Sequence, residues 1–289
     1  MTPMTTTGFP VAEGTRLLGE VISWTCNGVA IPHATLVEAL ADAGLDPAVA
    51  RELAPKHAFT RACKRLADQR IIRQVADDAT TIQFQFTQES RSDDHYEYTL
   101  ETMLTLDKRT GSVTCELPGL ATLAQEELDR CIRVRTGSDV TRIIQKLFDQ
   151  HADLFSVRPQ GGCYFVPNRH ASFVDQVQYF LGRINGQVLR FPVPAGTSEG
   201  DRSVKDAVAC GLSALIEEHR QAVAQFGEDT REDTLKRAAE KIRTTRLKVE
   251  GYAELLAEEK ERLDRAVITA QQELRAKVAE LTATPVAVA

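Results

Sequence analysis

The stretch 230–281 constrains this chain most. It contains no proline and one glycine, Gly251. Leu235, Ile242, Val249, Leu256 and Leu263 recur in it at a strict seven-residue step. The positions between them are weaker core formers: Ala238, Thr245, Tyr252, Glu259 and Ala266. From 228 to 281 the charges nearly balance, 12 basic against 13 acidic. A narrow apolar seam with mixed charge on its flanks predicts a coiled coil or a long helical hairpin. At about 1.5 Å per residue, such a helix would be on the order of 80 Å long if straight. A seam this narrow does not stay helical alone, so it calls for a partner. The five residues at the seven-residue step are therefore the expected oligomerisation positions, and a homo-oligomer is expected. Gly251 and Glu259 are the weak points for a kink or a fold-back.

Upstream, the pattern is mixed. Residues 1–14 read as a tail, and 17–29 as a strand or buried turn. Short helices are expected over 33–43, stopped by Gly44, and from Asp46 to a break at Pro55. A third helix is expected over 57–69, with Phe59, Cys63 and Leu66 on one face. Two extended segments follow, 71–75 and 81–87, where Ile82, Phe84 and Phe86 alternate, with Asp77-Asp78 as the turn between them. Three short helices followed by a hairpin resemble a winged helix-turn-helix domain over 33–87. That resemblance implies a recognition helix at 57–69 and a wing tip at Asp77-Asp78, although wings that touch phosphate are usually basic.

A β-hairpin is expected over 96–106 and 112–117. A helix at 123–134 follows, then one over 140–150 opened by the capping stretch 136–139. A tight hairpin over 154–166, a helix at 171–184, a strand at 187–193 and a small-residue linker at 195–200 complete this part. Helix, capped helix and hairpin recur, so 120–167 is a candidate second winged unit. The expected class is α+β, with winged-helix-like modules ahead of a long C-terminal helical, coiled-coil region. The expected domains are 15–90, 91–195 and 196–289. The stretch 139–167, including Ser-Val-Arg-Pro-Gln-Gly-Gly-Cys-Tyr-Phe-Val-Pro, resembles uncharacterised bacterial and phage- or plasmid-borne proteins of this length. That resemblance implies a mobile-element or genome-maintenance setting and lends no catalytic residue.

The formal charge of −6 hides a segregation. Segments 51–73 and 130–190 are each net +5, whereas 74–129 is net −9. Arg61, Lys64 and Arg65 share one face of the third helix by their i, i+3, i+4 spacing. They are the first expected nucleic-acid contacts, and Arg142 and Lys146 are the second set. The acidic segment is a possible docking partner for these bases within the same assembly.

Catalytic and metal patterns are sparse. There is no GxxxxGK[ST], GxGxxG or HExxH motif. The six cysteines include no CxxC pair, so neither a zinc knuckle nor a disulfide framework is expected. Asp93-Asp94-His95 reads as a polar turn rather than a metal cluster. Cys163 with His170 is a weak candidate for a thiol and its base. No cofactor, metal or membrane span is expected, and the compartment reads as cytoplasmic. The resulting expectation is a non-enzymatic DNA-binding accessory protein, oligomerised by its C-terminal helices. The alternative is an assembly protein that uses winged-like folds as docking modules.

Overall fold

The computed structural model describes residues 14–283, apart from 69, 93, 94 and 159. The expected tail therefore lies, but for Gly14, outside the described residues. In chain order the elements are β1 (Leu17–Thr25), β2 (Ala30–Pro32), α1 (His33–Asp42), α2 (Pro55–Arg65), β3 (Arg70–Asp77), β4 (Thr81–Ser92), β5 (His95–Asp107), β6 (Val113–Thr114), α3 (Pro118–Arg133), β7 (Val134–Thr136), α4 (Gly137–His151), β8 (Phe155–Ser156), β9 (Tyr164–Pro167), α5 (Ala171–Arg183), β10 (Gln187–Pro194), α6 (Ser198–Ala224), α7 (Glu232–Gly251) and α8 (Lys260–Ala283). The fold is α+β with several antiparallel pairings. Among the described residues, no helix is long and apolar enough to cross a membrane.

The chain forms two compact units, and each is discontinuous in sequence. One gathers the described residues up to Trp24 with Ala152–Ser172 and Leu189 onward, and the other gathers Thr25–His151 and Phe173–Val188. This replaces the expected boundaries. The 90/91 boundary falls within a continuous ladder, because β4 pairs with β5 from Thr81↔Asp107 to Ser92↔His95. The candidate second winged unit is also divided. Its helices α3 and α4 belong to one unit, whereas Phe155 and Phe165 of its hairpin enter the apolar core of α6, α7 and α8.

In the unit formed by 25–151 and 173–188, the order β3-β4-β5-β6 makes one sheet. Ile82, Phe84, Phe86, Leu104 and Leu106 alternate onto one face and are buried with Ala58, Phe59, Ala62 and Cys63 of α2 and Ala124, Leu128 and Cys131 of α3. Alternation in the strands and helical spacing in α2 meet in this one core. The hairpin expected as a wing is thus the start of a broad sheet. The second expected helix is a single 3-10 turn, Pro47–Val49, whose Asp46 side chain accepts from the Ala48 N–H at 2.9 Å. Pro55 opens α2 rather than breaking a helix, because a proline at the first helical position has no N–H to leave unpaired. A second small sheet joins β2 to β7, with Ile31 opposite Arg135.

The other unit holds the sheet β10-β1-β9-β8 and the three long helices. Of the two forms expected over 230–281, a coiled coil or a helical hairpin, the structure has two helices, because the chain turns over 252–259. Side-chain pairs give the directions. Lys205 meets Glu258, Arg262 donates to Ser213 at 3.3 Å, and Arg220 forks on Glu273 at 2.7 and 2.9 Å, so α6 and α8 run the same way. His219 stands 3.0 Å from Thr245, whereas Phe226 lines a cleft with Thr234 and Ala238, so α7 runs against α6. The result is an up-down-up bundle. Ile242, Val249, Leu256 and Leu263 are almost fully buried with Val208, Leu212 and Ile216 of α6 and with Val267, Ala270 and Leu274 of α8, and Leu235 packs at the edge. The seven-residue seam is therefore covered by this chain's own helices, not by a second copy. Gly211 allows α6 to approach β8 closely: a Cβ there would stand 2.7 Å from the Phe155 ring.

Candidate nucleic-acid interface

The first predicted set is largely engaged in internal ion pairs. Arg61 forks on Asp139, at 2.9 and 2.6 Å. Asp139 also accepts from the backbone N–H and the hydroxyl of Thr136, at 2.9 and 3.0 Å, and so ties down the start of α4. Burial would raise the Asp139 carboxyl, but Arg61 and Thr136 outweigh it and hold the group below the usual carboxylate range. The first turn of α4 packs tightly, and a Cβ on Gly137 would stand 2.0 Å from the Cys26 carbonyl oxygen. Arg65 pairs with Glu127, and the hydrogen bond between them raises the guanidinium's pKa. Lys64 is exposed.

The acidic segment supplies many of the partners. Lys56 pairs with Asp77, Arg70 forks on Glu101 at 2.5 and 2.9 Å, and Arg65 takes Glu127. Three cations of 51–73 thus pair with carboxylates of 74–129 within one unit. The acidic hairpin tip has a local explanation. Asp77 also accepts from Lys108 at 2.6 Å, and Asp78 accepts the backbone N–H groups of Thr80 and Thr81, each at 2.7 Å. Those N–H groups hold the Asp78 carboxyl well below its ordinary value.

The second predicted set is placed differently. Arg142 and Lys146 lie one turn apart on α4 and line an open cleft of about 370 Å³ with Arg51 and Arg135. Val49, Leu53 and Ile143 form its apolar wall. The cleft draws on both basic segments, Arg51 from one and the other three cations from the second. Arg142 is exposed and Lys146 is half-buried. Arg135, only 4% exposed, donates through Nη1 to the Cys131 and Ile132 carbonyls at 3.2 and 2.9 Å, closing the C-terminal turn of α3. Its Nη2 is buried with no hydrogen-bond partner. Burial lowers the Arg135 pKa, partly offset by Asp139. Sequence reasoning missed Arg51 and Arg135 as members of a site. Both sat in the basic segments, but no local spacing ties them to α4.

The remaining candidates resolve otherwise. His170 faces Asp153 at 3.3 Å and takes an Arg169 N–H at 3.1 Å, so its described partners do not include Cys163. Among the described residues, no three His, Cys, Asp or Glu side chains form a group able to hold a metal. Asp93 and Asp94 lie outside the described residues.

The helical unit holds a buried polar knot. Asp153 accepts from Tyr252 Oη at 2.7 Å, Lys248 Nζ at 2.8 Å and Arg169 at 2.5 Å, and the Arg169 guanidinium lies 4.4 Å over the Tyr252 ring. Burial would raise the Asp153 carboxyl, but these donors reverse the effect and hold it well below the carboxylate range. Burial also lowers the pKa of His219 below its ordinary 6.5. Both groups act in the same direction on acidification. The native state resists protonating each of them, so their stabilisation is complete at neutral pH and lost in acid. We expect unfolding free energy to fall as pH drops below about 6.5, where unfolded His219 takes a proton, and again below about 4 through Asp153. Urea melts between pH 8 and 3 check this, and His219→Gln should shrink the upper step, leaving the part that His33, whose pKa is also lowered by burial, contributes.

No curated protein and no solved structure matches the chain. A family model described as a family of unknown function (DUF6744) matches residues 17–287, nearly the whole chain, and the protein belongs to that family.

Proposed function

We propose that this protein is a non-enzymatic nucleic-acid-binding protein whose phosphate-contacting surface is the cleft beside α4. The observation that carries the reading is the convergence of Arg51, Arg135, Arg142 and Lys146 on one open cleft whose one acidic lining residue, Asp139, is already forked by Arg61. Cations without internal partners can replace the counterions of a phosphate backbone, whereas Arg61 and Arg65 would first have to break ion pairs. Arg142 and Lys146 therefore lead, with Lys64 as an outlying contact. The winged-helix relationship rests on the order α1, 3-10 turn, α2, β3–β4. In this reading the phosphate-facing helix is α4 and not α2. An oligomer, if formed, uses a surface other than the 235–263 seam.

The test is anisotropy of labelled duplex DNA against the full-length protein. Three phosphate contacts, to Arg51, Arg142 and Lys146, predict roughly 40-fold weaker binding at about 200 mM than at about 50 mM salt. Arg142→Ala with Lys146→Ala should lower the salt slope by about two while leaving the melting temperature nearly unchanged. No binding at micromolar protein in low salt, or an unaltered slope in the double variant, overturns the reading.

One observation favours protein docking as a second reading. Beyond the bulge between Thr102 and Leu100, Tyr96, Tyr98 and Leu100 pair with Arg91, Glu89 and Thr87 on the face of the sheet opposite to the buried one, and are 53%, 59% and 55% exposed. Such an uncovered apolar strip suits a protein surface. Unchanged DNA binding in Tyr96→Ser with Tyr98→Ser would separate this strip from the nucleic-acid site.

A further inference from the structure

We propose that the cleft lined by Arg51, Arg135, Arg142 and Lys146 seats a phosphomonoester, the terminal phosphate of a nucleic-acid strand. The inference rests on the nucleic-acid reading of this cleft and says which part of the strand enters it.

The first argument is the unpartnered donor. Arg135 is nearly fully buried, and one of its two terminal nitrogens is spent on the end of α3. The other, Nη2, has no acceptor. A buried donor without an acceptor is costly, and a guanidinium cannot shed its proton to escape that cost. Arg135 lines the cleft, so a turn of its guanidinium toward the hollow would give Nη2 a phosphate oxygen as its missing acceptor. The second unpartnered buried nitrogen among the described residues, His33 Nδ1, belongs to a neighbour whose own pKa is lowered by burial and then by Arg135.

The second argument is charge. Arg51, Arg61, Arg135, Arg142 and Lys146 stand around the cleft against two carboxylates, Asp139 and Glu52. Both Asp139 oxygens are occupied by Arg61. A net positive recess of this kind suits a dianion better than a monoanion.

The third argument is depth and shape. The unpartnered nitrogen is shielded from solvent, whereas Arg142 stands exposed. An internal phosphodiester carries chain on both sides and rides on the outside of its helix, so it reaches exposed cations but not a shielded one. A terminal phosphate carries chain on one side and has three free oxygens. The wall of Val49, Leu53 and Ile143 gives the attached nucleoside an apolar surface, and a volume of about 370 Å³ suits such a ligand.

The experiment compares one oligonucleotide carrying 5′-hydroxyl, 5′-phosphate or 3′-phosphate ends, together with covalently closed circular DNA and inorganic phosphate, on the full-length protein. A phosphorylated end should tighten binding about tenfold or more, the size of one or two charge-assisted hydrogen bonds. Inorganic phosphate should compete for that gain. Arg135→Lys should abolish the gain, and because Arg135 also closes α3, Arg51→Gln with Arg142→Gln serves as the fold-neutral control and should shrink it. Equal affinity for hydroxyl ends, phosphate ends and closed circles overturns the monoester seat and leaves the nucleic-acid reading standing. A thermal shift with inorganic phosphate, but no binding of any oligonucleotide, overturns the nucleic-acid reading and assigns the seat to a small phosphomonoester. Failure of every probe overturns both.

Discussion

Val249→Asp combined with Leu256→Asp should abolish the fold of the helical unit, and it should do so at any protein concentration. Both side chains are fully buried within one chain, among apolar residues of α6 and α8. Replacing a buried aliphatic by a smaller side chain already costs roughly 1–5 kcal/mol, and a carboxylate adds an unpaired charge in an apolar setting. Two such changes together rival the roughly 5–15 kcal/mol that holds a whole domain. A seam between subunits would behave differently. The rest of the chain would then stay folded as a lighter species, and the wild-type melt would rise with concentration. Far-UV circular dichroism and light scattering on the same samples separate the two. Retained helicity with a halved mass would refute the intrachain bundle.

Asp153→Ala should be the most damaging single polar substitution in that unit, at about 3 kcal/mol. The carboxylate is 5% exposed and gathers Arg169, from just before α5, with Lys248 and Tyr252 at the C-terminal end of α7. Arg169 and Lys248 keep side-chain exposures of 46% and 28%, so their charges can turn to water. The full cost of stranding buried cations is therefore not incurred. Tyr252 is deeper, and its hydroxyl loses its acceptor. Tyr252→Phe should cost only about 1 kcal/mol, since it removes the hydrogen bond but keeps the ring that packs edge-on against Phe155 at 5.3 Å. In Asp153→Asn the acceptor survives without the charge, so an intermediate loss is expected. Urea unfolding at pH 7 gives all three values. An Asp153→Ala loss below about 1 kcal/mol would show that the knot adds little, as exposed ion pairs do.

How much was legible in the sequence depends on the range of the interaction. The alternation of Ile82, Phe84 and Phe86 and the capping stretch before α4 are local, and both recur in the structure. The basic residues were legible as segments but not as a site. On sequence alone, Arg61 on α2 and Arg142 on α4 are the same object, a cation on the polar face of an amphipathic helix. What separates them is Asp139, 78 residues from Arg61, which takes up one and leaves the other facing a cleft. Arg51 and Arg135 became visible only when two segments far apart in the chain were brought around the same hollow.

The seam between 235 and 263 shows the same division. Spacing alone determined that these residues lie on one side of a helix and need covering, because the period of a helix is a property of the backbone. Spacing also marked the weak stretch near Gly251 and Glu259, where the helix is interrupted. It carried no information on whose surface does the covering, since an apolar stripe is equally satisfied by a second copy or by its own chain. Tertiary structure decided that point. The reversal over 252–259 returns α8 alongside α6, and α6 presents a matching stripe of Val208, Leu212, Ile216 and Val223. Hydrophobic burial is non-directional, so only the path of the chain between the stripes selects which of them meet.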